Sequence, residues 1–230
     1  NLYINAGGLF GFSMGRATAE QTVTDASLVN STKIEDMKLR FGQVTDPRTA
    51  AFLAMMGIKD LNMSIAFDGS YDRMGKVLTQ RMNMVADKLI SLDLDFGIDN
   101  LDLREGMQEA ETMEAINGLV PARVSLRLIE DQLIGVAMDS FAQQNNVNRQ
   151  QLANQAATIV YSQLAPLLGE EEGLVIAREL AGFLQQPDTL TLSLENKADL
   201  SVIDLATQPN PVGMLQAGMI GVSVKANSAQ

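Results

Sequence analysis

The chain has 230 residues, 17 basic against 28 acidic side chains for a net charge of −11, and no His, Cys or Trp. These absences exclude a Ser-His-Asp triad, a thiolate nucleophile, a zinc site with nitrogen and sulfur ligands, haem or iron–sulfur ligation and any disulfide. The negative charge repels phosphate backbones and anionic bilayer surfaces within a Debye length, so nucleic acid is not an expected partner.

In chain order, Leu2, Tyr3 and Ile4 read as the start of a strand. Gly7 to Gly15 is glycine-rich, but it has neither the Gly-Lys-Ser/Thr of a Walker loop nor the G-x-G-x-x-G of a dinucleotide site, and it reads as a bent strand or a loop. Ile34, Met37, Leu39 and Phe41 lead into a strand with Lys38 and Arg40 on its other face. Asp46 offers an N-cap and Pro47 a first helical position for a helix that runs through Thr49 to Met56 and stops at Gly57. Leu61, Met63, Ile65 and Phe67 alternate with polar or small residues, and Met82, Met84 and then Leu89 to Phe96 form a further long run.

Residues 105–117 predict a short acidic helix ending at Gly118 as C′ glycine. Val124, Leu126 and Leu128 alternate with Arg123, Ser125 and Arg127 in the next strand. Leu133, Ile134, Val136, Ala137 and Phe141 form one stripe of a helix over 131–144. Asn148 caps a helix from Arg149 to Leu168, and Gly169 ends it. Glu170 to Glu172 place negative charge at the start of the helix that follows, which stops at Pro187. Leu190, Leu192 and Leu194, then Ile220, Val222 and Val224, complete the set of one-sided strands.

Met37-Lys38-Leu39-Arg40-Phe41 is similar to Val124-Ser125-Leu126-Arg127-Leu128, each followed by a helix and then another alternating strand. This predicts a duplicated unit over 1–90 and 91–230, with a helical insertion at about 145–187 in the second copy. No Pro/Gly/Ser tether separates the halves, so 1–230 is expected to form a single merged domain. The fold class expected is α+β: a long curved, mainly antiparallel sheet wrapped around helices.

Few side chains suggest chemistry. Asp93, Asp95, Asp99 and Asp102 invite a calcium reading, but Gly97 falls at loop position five and Arg104 occupies the place of the bidentate Glu, so the acids read as the wet face of a strand. Tyr3, Tyr71 and Tyr161 are scattered and form no sugar platform beside a carboxylate pair. No catalytic residue, metal ligand or cofactor is expected. Thirteen methionines are present, and Met55, Met56, Met63, Met82 and Met84, with Phe67, are the candidate lining of a cleft for a lipid, another apolar ligand or a protein partner.

Ala122 to Asp131, continuing in Phe183-Leu184-Gln185-Gln186-Pro187-Asp188-Thr189-Leu190-Thr191-Leu192, resembles a group of uncharacterised proteobacterial envelope proteins with repeated strand-helix modules. The resemblance implies a periplasmic or cell-envelope location, with the cytoplasm still open, and supplies no catalytic residue. The chain starts at Asn1 without a signal-peptide pattern and has no run of 18 apolar residues, so membrane association is expected only through a segment upstream of it. The resulting expectation is a non-catalytic envelope domain that binds an apolar ligand or partner. The alternative is a structural interaction module of a larger envelope protein, with a carboxylate hydrolase a distant third.

Overall fold

A computed structural model describes residues 2–6, 10–41, 47–102, 107–208 and 210–227. Period-two alternation yields ten strands among them: β1 (Leu2–Ala6), β2 (Phe10–Met14), β3 (Arg16–Val23), β4 (Ser27–Phe41), β5 (Asp60–Asp72), β6 (Val77–Ala86), β7 (Ile90–Asp99), β8 (Val120–Glu130), β9 (Thr189–Asn196) and β10 (Ile220–Ala226). Seven helices lie between them: α1 (Pro47–Met55), α2 (Glu109–Asn117), α3 (Leu133–Gln144), α4 (Arg149–Leu168), α5 (Glu170–Gln185), α6 (Val202–Thr207) and α7 (Pro211–Gln216). The fold is α+β, with one long sheet in which every described pairing is antiparallel. Strand order follows chain order, except that β2 and β3 both pair with β4.

The β2–β3 junction shows why the glycine-rich stretch bends. β2 pairs with Lys38–Phe41 and β3 with Leu28–Glu35, and the break falls at Gly15 opposite Asp36. Asp36 has φ 55, and a Cβ on Gly15 would stand 2.6 Å from the Asp36 Cβ, so this close approach requires glycine. The irregularity shifts β4 against β5 between Ile34 and Met37, which returns both to the same face although they are three residues apart.

Some expectations need correction. The run from Met82 through Phe96 is two strands, β6 and β7, separated by a turn at Asp87–Leu89. Lys88 takes φ 61 there, and the Leu89 N–H donates to the Ala86 carbonyl at 3.0 Å. Lysine is not a turn residue by composition, so nothing in the pattern marks the break. Gly118 ends α2 in a right-handed conformation, φ −83, and not as a left-handed C′ residue. α2 starts at Glu109, where Gln108 and Glu111 form a capping box, while residues 105 and 106 of the expected helix lie outside the described residues. β3, α6 and α7 have no counterpart among the expected elements. The N-cap expected at Asp46 also falls outside the described residues, whereas Gly57 does follow α1 with φ 67.

The remaining caps follow the sequence. Asn148 Oδ1 accepts from the Gln151 N–H at 2.8 Å and Gln151 Oε1 accepts from the Asn148 N–H at 3.0 Å, closing a capping box on α4. Asn148→Ala is expected to lower stability by about 1 kcal/mol in urea denaturation; an unchanged midpoint would show that this cap contributes nothing. α6 has the same device: Asp204 accepts from the Ser201 hydroxyl at 2.6 Å and from its backbone N–H at 2.9 Å. The hydroxyl bond first, and the backbone bond second, hold the Asp204 carboxyl below its usual range. A depressed folded-state pKa means that the cap contributes above the ordinary carboxylate range and is lost as pH falls through the lowered value. Relative to its intrinsic rate, amide exchange at the start of α6 should therefore accelerate as pH falls through that lowered value.

Most of the tightly buried side chains sit with the helices, joined by Met37 of β4, Tyr71 of β5 and Leu89 of the β6–β7 turn. α4 and α5 run antiparallel, joined at Gly169, and bury Ala153, Ile176, Ala177 and Phe183, while α3 adds Met138 and Ala142. α5 lies along β10, where Glu179 Oε2 accepts from the Ala226 N–H at 2.6 Å and Asn227 Nδ2 donates to the Gln186 carbonyl at 2.9 Å. These contacts satisfy groups that an outermost strand would otherwise expose. The chain exposes 14506 Å², against roughly 10,000 Å² for a compact monomer of its mass. The excess reflects a sheet that extends well beyond its helices.

Candidate functional site

Residues that pair directly across an antiparallel ladder share a face, so the registers map each face of the sheet. From β10 to β4 one row reads Val224, Leu192, Leu126, Leu94, Met82, Phe67, Thr32. The adjacent row reads Ala226, Leu190, Leu128, Leu92, Met84, Ile65, Ile34. A third begins Val222, Leu194, Val124, Phe96 and turns polar at Gln80 and Asn30. No charged residue enters these three rows, which cross seven strands.

Packing covers this face unevenly: Met37 of β4 and Tyr71 of β5 are buried on it at 6% exposure, while its middle stays partly open. Close backbone approaches of helices to the sheet concentrate on β8, β9 and β10, and no helix runs close along β4 to β7 among the described residues. Val124, Leu126, Leu192 and Leu194 keep 37–39% of their surface exposed. Phe67, Met82, Met84, Leu92, Leu94 and Phe96 are half-buried.

Four of the six residues proposed as a cleft lining meet here. Phe67 faces Met82, Ile65 faces Met84, and Met63 stands between Met37 and Ala86 on the same face. Met55, 49% exposed, is the last residue of α1, and Met56 helps line a small polar pocket of about 180 Å³ at the end of the sheet. The arrangement is an open plate, not a cleft. Sequence reasoning also misses that the leucines of β8 and β9 belong to the same surface. Their alternation is visible, but only the register joins them to the methionine rows.

The opposite face is polar and internally paired. Arg81 Nε donates to Asp95 Oδ1 at 2.6 Å, Asn83 Nδ2 donates to Asp93 Oδ1 at 2.6 Å, and the Ser125 and Ser193 hydroxyls meet at 3.1 Å. The Asp95 hydrogen bond and charge raise the Arg81 pKa further above its ordinary value. Asp102, from the calcium reading, pairs with Lys76 Nζ at 3.0 Å, and no group of three acidic side chains among the described residues stands close enough to hold a metal. An open trough of about 430 Å³ crosses this face, with Ser31, Asp68, Ser70, Thr79, Arg81 and Arg123 among its lining. Ser70 and Thr79 bond each other at 2.7 Å across it. Within it Arg81 is held by Asp95.

No helix of the described residues is long and apolar enough to cross a membrane. A family model described as "Uncharacterized protein" matches residues 83–227, from β6 to the end of β10, and the chain belongs to that family. No curated protein and no solved structure matches the chain.

Proposed function

We propose that this member of the family is a non-catalytic binding domain of the bacterial periplasm or cell envelope, whose working surface is the apolar face of its sheet and whose ligand is a lipid acyl chain or a comparable apolar molecule. The observation that carries the reading is the set of charge-free rows crossing seven strands, of which β4 to β7 have no close helical contact among the described residues. Soluble monomers rarely expose contiguous apolar patches beyond a few hundred Å², and larger ones mark interaction sites. Met63, Met82 and Met84 suit a ligand of variable shape, because an unbranched thioether adapts its rotamers to irregular neighbours. The envelope assignment is supported by the resemblance of 122–131 and 183–192 to envelope proteins and is consistent with a chain free of thiols. β4–α1–β5 and β8–α3–α4–α5–β9 are both antiparallel strand pairs with helices between, which supports duplication of a strand-helix-strand unit.

The test is organic extraction of protein purified without detergent, followed by mass spectrometry. The expected result is an acyl species in near-stoichiometric amount, lost in a Met82→Asp variant that places a charge in the middle of the central row. An extract free of apolar molecules would overturn the reading.

A further inference from the structure

We propose that the second wall of this binding surface is the same face of a second copy, so that two chains stack their apolar faces about a two-fold axis. The inference rests on reading the face as the ligand surface, and it names what completes the site. Small-molecule sites enclose 70–90% of their ligand. A plate touches a ligand on one side only, so a single chain cannot supply that enclosure.

Area argues for a partner of protein size. Seven strands about 4.8 Å apart, several side-chain rows deep, make a plate of roughly 30 by 25 Å. That is close to the roughly 800 Å² that each partner contributes to a stable interface. The chain's exposed surface, 14506 Å², leaves ample excess for such a loss.

Composition argues that the partner is this chain itself. The rows carry no charge, so the face brings no like-charge repulsion against its own copy, and a two-fold operation matches the surface to itself. The other surfaces of the sheet suit association less well. α5 occupies the outer side of β10, with Glu179 already accepting from Ala226. The polar face carries Arg81–Asp95 and Asn83–Asp93 pairs that stacking would desolvate. Facing sheets pack about 10 Å apart with strand directions about 30° off parallel. In that arrangement the half-exposed Val124, Leu126, Leu192 and Leu194 become a core, and the methionines fill the gaps beside any ligand held between the sheets.

The experiment uses the absence of native cysteine. Light scattering after size exclusion is run on protein as purified and after extraction of bound lipid, and a short bis-maleimide is applied to Leu94→Cys and, as a control on the polar face, Ser223→Cys. The expected result is a dimer in both preparations, efficient cross-linking through position 94 and none through 223. The paired variant Leu126→Asp with Leu192→Asp should become a monomer, with unchanged circular dichroism reporting that it is folded. A monomer that still carries an acyl species overturns the stacking and leaves the ligand reading intact. A dimer that never carries one upholds the stacking and overturns the ligand reading. A dimer that cross-links through 223, or survives both aspartates, overturns the stacking.

Discussion

Phe183→Ala is expected to lower the unfolding free energy by about 3–5 kcal/mol, the range for emptying a buried aromatic position. Phe183 is 2% exposed, the most enclosed large side chain among the described residues, and it lies on α5 in the helical core with Ile176 and Ala177. Domains are stable by only about 5–15 kcal/mol, so this one truncation removes a large fraction of the total. The sheet adds Met37 and Tyr71 to the buried set, but its central rows are only partly enclosed. Urea denaturation followed by far-ultraviolet circular dichroism measures the loss. A change below about 1 kcal/mol would show that the helices do not form the tight core.

Gly173→Val is expected to be the second severe substitution, at about 1–3 kcal/mol from overpacking. Gly173 sits in the first turns of α5 against α4, and a Cβ there would meet the Ala165 Cα and backbone N at 3.0 Å. Backbone cannot rotate aside as the end of a long side chain can, so the two helices must separate. That displacement should also loosen α5 from β10, where Glu179 holds the Ala226 N–H. Faster hydrogen exchange in β10 together with lower stability is the expected pair of results. Gly173→Ala should show a smaller effect in the same direction. A valine variant as stable as the parent would contradict the close approach of α4 and α5.

Strand faces are legible in the sequence wherever alternation is regular, as at Val124, Leu126 and Leu128 of β8 and at Leu190, Leu192 and Leu194 of β9. Helix limits are legible where a cap has the right chemistry, as at Asn148 and at Gly57. The Lys88 turn is hidden because a left-handed lysine has no compositional mark. α6 and α7, with six residues each, are too short for an apolar period to declare itself.

The candidate site is half legible for a related reason. Met63, Phe67, Met82 and Met84 stand out by their side chains and do share a face. Their union with Leu94, Leu126 and Leu192 depends on which residue pairs with which, and pairing is a long-range property that a single sequence does not display. The open state of that surface is hidden as well. Helices as amphipathic as α3 and α5 are expected to cover the sheet, and instead they bury their apolar stripes on one another and along β10.

If the apolar face is a covered working surface, peroxide footprinting of the intact protein as purified, read by mass spectrometry, should reveal the cover. Met74, 84% exposed in the β5–β6 turn, serves as the internal reference. Met63, Met82 and Met84 are expected to oxidise far more slowly than Met74, and their rates should rise when bound lipid is extracted and the face variant Leu126→Asp with Leu192→Asp is used. Oxidation of Met82 and Met84 at rates close to that of Met74 in the untouched protein would show a bare face and contradict both the ligand and the stacked second copy.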